Sequence, residues 1–467
     1  MRIGIGAPKG MPNTGGPALV GLLNSEPWLT TKPDGRLSDR IAKDWQWEQG
    51  GLALRLRLRP NVYFHDGTKL TPQLAAEAIR ATDTKKDNFS LRSVTSVEPE
   101  GTDAILLTLK ERNAFVLTDL AALPVIKPGQ PNVATGPYQV VMRNGQDTTL
   151  SAFPQYYRGQ PALAGIEVIN YPTQRNAWSA LMRSKIDMLY DVSRDSVEFV
   201  QAETTVRTYT SQRAFYILLA FNVRHPILRS VAVRQAINEA LDREALVRDG
   251  LRGQGLVADG PVRPQHWAYA PPEHPFRFDP AGARSRLDAA GFPLKPSPER
   301  RVPVRFSFRC LLFGNDPRFE RLALVAQKEL ADIGIDMRLE PVPLDKLVPQ
   351  LGAGDFDAFL FEMSGRSLAR VYDFWRFSPG MMVNSGYRSA DAVLDRIRSA
   401  QSDEDTRAAV AELLRVMHDD PPAAFIAWQT ASRAVSARFD VAAEPDRDIL
   451  SNLWMWRPAG AATQAAR

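Results

Sequence analysis

Leucine and arginine alternate through LALRLRLR, placing Leu52, Leu54, Leu56 and Leu58 on one face and Arg55, Arg57 and Arg59 on the other. Period-two alternation of this kind predicts a strand with one buried and one solvated face. Val62 and Phe64 continue the extended run. His65-Asp66-Gly67-Thr68 then supplies turn formers, since an Asp carboxylate can accept local backbone N–H groups and Gly tolerates positive φ. Thr71-Pro72 predicts a helix N-cap and first helical residue, and Leu74, Ala75, Ala78 and Ile79 give that helix an apolar side. His65 and Asp66 are thereby read as a turn between strand and helix, not as a catalytic or metal-binding pair, and no second histidine stands at ligand spacing.

Further along, ATGPYQVV is a Gly-Pro turn entering a strand. IEVINY (Ile166 to Tyr171), a helix from Thr173 to Ser184 striped by Trp178, Leu181 and Met182, and the strand KIDMLYDV (Lys185 to Val192) make a βαβ unit, which favours a parallel sheet. A second block starts with the apolar run FYILLAFNV (Phe215 to Val223), a central strand. A helix on Val233, Ile237, Ala240 and Leu241 follows, then one capped by Asp242. The Pro-rich stretch Gly260 to Pro275 is irregular. Asp279-Pro280 starts a helix that Gly291 ends. Strand Val302–Cys310, helix Phe319–Ile333, strand Ile335–Val342 and strand Phe356–Met363 complete a second layered α/β body.

Composition narrows the class. At 467 residues the chain exceeds one ordinary core and predicts two or three lobes. Its 58 basic and 53 acidic residues are interspersed, giving a net charge of +5 without the basic run that a nucleic-acid binder gathers. No apolar run is long enough for a transmembrane helix, and MRIGIGAPKG lacks the apolar stretch of a secretion signal, so the compartment is not readable from it. The single cysteine, Cys310, excludes an intramolecular disulfide and a cysteine zinc site, and is read as a small buried hydrophobe.

Five collinear segments carry a resemblance. They are RLSDRIAKDWQWEQGGLALRLRLRPNVYFHDGTKLTP, ATGPYQVV, FPQYYRGQPALAGIEV, LAFNVRHPILRSVAVRQAINEALDREALV and LVAQKELADIGIDMRLEPVPLDKLVPQLGAGDFDAFLF. Taken in order from Arg36 to Phe361, they resemble the extracytoplasmic solute-binding proteins, family 5, of ABC importers, the peptide, dipeptide and nickel class. The resemblance implies an α/β, two-lobed periplasmic-binding-protein (Venus flytrap) fold, type II class C, with a small extra domain. Lobe I would comprise residues 1–30, 133–217 and 430–467, the extra domain 31–132, and lobe II 218–429. It implies capture of a small solute in the inter-lobe cleft by a hinge equilibrium, delivery to an ABC permease in the membrane, a periplasmic location, a monomer, and no cofactor, metal or catalysis. Two other readings stand beside it: a cleft hydrolase, and the ligand-sensing domain of a cytoplasmic regulator. Neither has a motif behind it, since G-x-S-x-G, HExxH and a Cys/His pair are all missing.

Peptide binders of this family take the peptide ammonium with an acidic residue beyond the FDAFLF-type strand, in a W-x-x-D-x-x-D-P-like segment. Here EMSGRSLARVYDFWRFSPGMM, Glu362 to Met382, lacks the Asp-Pro and carries Arg366 and Arg370, with Asp373 the nearby aspartate. Arginines there would suit a carboxylate or phosphate. Tyr372, Phe374, Trp375 and Phe377 form an aromatic cluster in what reads as a loop, the type of wall a small-molecule pocket uses. Trp428, after a crossover strand, Trp267 with Tyr269 in the irregular loop, and Asn222 near the other crossover are the remaining ligand candidates. PNTGG (Pro12 to Gly16) could offer backbone N–H groups, but a plain loop is the simpler reading.

Overall fold

The computed structural model describes every residue except 8–14, 83–89, 193–199, 201–202, 297–301, 315, 379–380 and 461–467. Two compact units emerge, one formed by Met1–Ser211 with Ala431–Arg467 and the other by Gln212–Thr430. The chain passes between them inside two long strands, Val206–Phe221 and Ala423–Ser436.

In the first unit, strand Arg2–Gly6 is flanked in parallel by Gly165–Tyr171 on one side and Met188–Leu189 on the other. Helix Gln174–Met182, capped by the Thr173 side chain, joins those two outer strands, so the βαβ unit is present with the N-terminal strand inserted between its arms. Only Met188–Leu189 of the expected strand Lys185–Val192 pairs as a strand. Asp147–Ala152 and Tyr138–Asn144 extend the sheet antiparallel. Helix Gly15–Asn24 begins within the PNTGG stretch, and residues 12–14 of that stretch lie outside the described residues.

A separate four-stranded antiparallel sheet, Ala42–Glu48, Ala53–Leu58, Ala104–Leu109 and Val94–Glu100 in spatial order, has its own apolar core with Trp28, Leu54, Leu56, Leu58, Phe64 and Ile79. Leu52 falls outside this pattern. It precedes the strand and is exposed, because the short turn Gln49–Gly51 rotates it out of register. Arg55 pairs with Glu48 on the adjacent strand and reaches across Ala104–Leu109 to Glu100 on the edge strand, so its face of the sheet is paired as well as solvated. The His65 stretch is a turn: Gly67 adopts φ 82°, Thr68 N donates to Asp66 Oδ1 at 3.0 Å, and Asp66 pairs with Lys127. His65 Nε2 lies 3.0 Å from Gly136 O, tying the turn to the Gly-Pro segment, and burial holds its pKa below the usual value. Thr71 caps helix Pro72–Arg80 by accepting from Leu74 N at 3.3 Å.

In the second unit, Phe306–Phe313 runs parallel to Ile335–Val342 and to Ala358–Ser364, and the latter pairs antiparallel with Phe215–Phe221 of the long strand. Helix Pro317–Asp332 links the first parallel pair and packs on the sheet through Phe319, Leu322, Ala323 and Ala326. The strand expected from Val302 starts only at Phe306, and Val302 is exposed. Cys310 is fully buried among apolar neighbours, and desolvation pushes its thiol pKa far up, which suits a core residue and not a nucleophile. Asp242 and Asp279 cap their helices as expected, accepting from Ala245 N and Gly282 N.

Candidate ligand-binding site

Strand Ala358–Ser364 ends at Gly365, and Ser367 caps a new helix, Leu368–Trp375, by accepting from Arg370 N at 3.4 Å. The aromatic segment is therefore helical, not a loop, through Trp375. Ala369, Val371 and Trp375 turn inward, so the helix splits the aromatic cluster between opposite faces.

Gly365 is the pivot of this turn. A Cβ there would stand 2.3 Å from Trp428 Cη2 and 3.1 Å from Tyr216 Cδ1, so the indole occupies the place a side chain would take. Trp428 lies within strand Ala423–Ser436 instead of after it, and it is 0% exposed. Its ring meets Tyr216 edge-on at 5.0 Å between centroids. Trp375 Nε1 donates to Tyr216 Oη at 3.1 Å, and Trp375 also packs on Phe425 and Tyr387. Burial pushes the Tyr216 hydroxyl pKa up, so it stays protonated. These rings make a core, not an open wall. One polar atom is left over: Trp428 Nε1 is buried with no partner among the described residues, an unmade donor of a type that costs about 1–3 kcal/mol unless a ligand or water completes it.

Arg366 follows Gly365. It is exposed, and its side chain makes no hydrogen bond or ion pair among the described residues. Desolvation first, and the like charge of Arg370 second, hold its pKa below the usual guanidinium value. Arg370, by contrast, pairs with Asp373 at 3.3 Å one helical turn on. Tyr372 donates its hydroxyl to Asp395 Oδ1 at 3.0 Å and lies beneath the Arg398 guanidinium.

Two expected ligand residues are placed elsewhere. Asn222 is buried, and its amide is fully used: Nδ2 donates to Gly354 O (3.1 Å) and Phe356 O (2.8 Å), while Oδ1 accepts from Arg224 N and Nε. It ties strand to loop and keeps no polar atom for a ligand. Trp267 is half-buried, stacked beside His266 with Arg407 5.4 Å from its ring centroid, on a different part of the unit.

The sequence reading missed a polar network on the neighbouring strands. Gln429 Nε2 donates to Glu362, Gln429 Oε1 accepts from Arg318 Nη1 at 3.1 Å, and Arg318 is held bidentately by Asp316, the N-cap of helix Pro317–Asp332. The Asp316-Pro317 dipeptide was the available signal, since it marks a helix start two residues before the one read at Phe319. Among the described residues no group of three or more His, Cys, Asp or Glu side chains converges as a metal site.

The site is a guanidinium without a counter-charge among the described residues, following the glycine that packs against a buried aromatic core. The profile of the bacterial extracellular solute-binding proteins, family 5 Middle, matches residues 36–381. The chain belongs to that family. The oligopeptide-binding protein AppA of Bacillus subtilis is 25% identical over 471 residues, covering 91% of this chain and 85% of AppA. The nickel-binding periplasmic protein of Escherichia coli is 26% identical over 349 residues, 67% of this chain and 65% of that protein. NikA from Brucella suis, solved with Fe(III)-EDTA, superposes with a TM-score of 0.85 at 19% identity, over 98% of this chain and 100% of NikA. This solute-binding protein thus has the mixed α/β, two-lobed periplasmic-binding-protein fold and the role of capturing solute for an ABC importer. The family assignment carries neither the hydrolase nor the regulator reading.

Proposed function

We propose that this protein captures, without turnover, a small solute or peptide bearing a carboxylate or phosphate, and hands it to an ABC permease outside the cytoplasm, in the periplasm. Arg366 carries the reading: a desolvated cation without a counter-charge among the described residues is a ready partner for an anion, and guanidinium forks bind carboxylate and phosphate bidentately. The Trp428 indole N–H, Tyr372, Asp373, Arg370 and Trp375 are the further ligand candidates in this reading, and Trp267 is a more distant one. Residues 1–30, 133–217 and 430–467 would act as lobe I, 31–132 as the small domain and 218–429 as lobe II, in a monomer that closes on its solute. The names of the relatives, an oligopeptide binder and a nickel binder among them, leave peptide and chelate within the range of solutes.

Native mass spectrometry of gently purified protein identifies the retained solute, and calorimetry with that compound compares wild type with Arg366→Gln. The expected result is an acidic solute bound at least about tenfold more weakly by the variant, with the ligand-free Tm unchanged. A solute without an anionic group, or equal affinities, overturns the proposal. So does conversion of the solute to product.

A further inference from the structure

The first unit holds a polar recess that solute capture at Arg366 does not use. Its volume is about 620 Å³, and it is lined by the hairpin of strands Leu29–Thr31 and Leu37–Asp39, by Arg59, by the Tyr157-Arg158 turn and by the stretch from Glu444 to Arg447. Five cationic side chains face two carboxylates there, Lys32, Arg40, Arg59, Arg158 and Arg447 against Asp39 and Glu444, an excess of three positive charges.

Three of the cations are engaged. Arg40 Nε lies 3.6 Å from Glu26 Oε2, Arg59 pairs with Asp39 and donates to Arg40 O at 2.6 Å, and Arg447 pairs with Glu444 at 3.0 Å. Lys32 and Arg158 have no acidic partner among the described residues. Arg158 is spread over the Trp454 ring, 4.7 Å from its centroid, a contact that orients a guanidinium without neutralising it. The backing is firm. Tyr156 donates to Glu26 and packs edge-on against both Tyr157 and Trp454, and Asn452 Nδ2 holds the free oxygen of Glu444 at 2.7 Å. Both carboxylates of the recess are thus committed to cations already present, and the surplus charge faces the hollow. A concave wall of one sign concentrates its field on whatever enters, and the volume falls within the usual range of about 300–1,000 Å³ for small-molecule sites.

We propose that this recess is an accessory anion site, separate from the one at Arg366, taking a small molecule with clustered negative charges: a phosphate ester or a polycarboxylate. Lys32 and Arg158 supply the open contacts, and the paired arginines supply the field. With Arg40 paired to Glu26, two cations stay open, and a single monovalent anion would leave one of them uncompensated, so the preference is for at least a dianion. Nothing in this assignment depends on the reading of Arg366.

Calorimetry of the whole chain with inorganic pyrophosphate and with citrate, at low and moderate salt, tests it. Saturable binding is expected for at least one of the two, weakening as salt rises, and about tenfold weaker in the Lys32→Ala/Arg158→Ala double variant. Both residues are exposed, so the variant should keep the wild-type Tm. No saturable binding of either probe, or equal affinity in the double variant, overturns the proposal. Loss of binding in Arg366→Gln with the double variant intact assigns the anion to the solute site, and also overturns it.

Discussion

Gly365 lacks a side chain where Trp428 has one to spare, and that exchange of volume places Arg366. Gly365→Ala puts a methyl 2.3 Å from the indole, so the ring or the turn must move. Overpacking of this kind costs about 1–3 kcal/mol, and urea unfolding should show it, with weaker solute binding alongside. An unchanged midpoint would mean that the indole shifts freely. Glu329 offers a second residue-scale test. Burial pushes its pKa up to about 7, with Asp242 and Asp332 adding to the shift and Lys328 and the Asp242 backbone N–H opposing it. A carboxyl raised in the folded state contributes most below its unfolded pKa of 4.5 and loses that contribution as pH climbs through about 7. Glu329→Gln should therefore gain stability relative to wild type as pH rises from about 5 to about 8. Parallel curves of Tm against pH would refute the burial argument. At this scale the sequence showed which residue types could bind, yet not which were already taken. Asn222 reads as a ligand amide near a crossover strand until its four hydrogen bonds appear, and Trp428 as an aromatic wall until burial leaves only its indole N–H to offer.

Helix starts were the most legible elements, because capping is local. Thr71, Thr173, Asp242 and Asp279 each accept from a backbone N–H three residues on. Ser367 caps in the same way. The aromatic residues after it read as a pocket wall, although Val371 and Trp375 stand at i and i+4, the spacing of one buried helical face. Ser367→Ala should cost about 1 kcal/mol and loosen the turn that carries Arg366. Its solute affinity should fall by less than that of Arg366→Gln, and an affinity equal to wild type would show that the cap does not position the arginine. Strand edges were harder. Of Lys185–Val192 only Met188–Leu189 is regular strand, and Val302–Ser307 has apolar alternation, but beyond an isolated bridge at Val304 the regular strand begins at Phe306. Alternation marks where a strand can form; the partner's length decides where it does.

Across the whole molecule, folding and binding reside in different cores. The four-stranded sheet of the first unit buries Leu56 completely, in a cluster confined to residues 28–125. Leu56→Ala should destabilise the protein by about 2–5 kcal/mol while the folded fraction binds solute with wild-type affinity. A parallel loss of affinity, measured by calorimetry well below the unfolding transition, would show that the two cores are coupled. The sequence by itself determined the class of fold, the order of strands and helices, the turn at His65 and the family, because periodicity, caps and collinear motifs are properties of the chain read in order. Only the tertiary structure decided that the N-terminal strand enters the middle of the βαβ unit, that Trp428 is sealed against Gly365, and that Arg366 alone of its neighbours keeps an uncompensated charge. Those outcomes depend on which residues meet across hundreds of positions, and burial and pairing energies exist only once they have met.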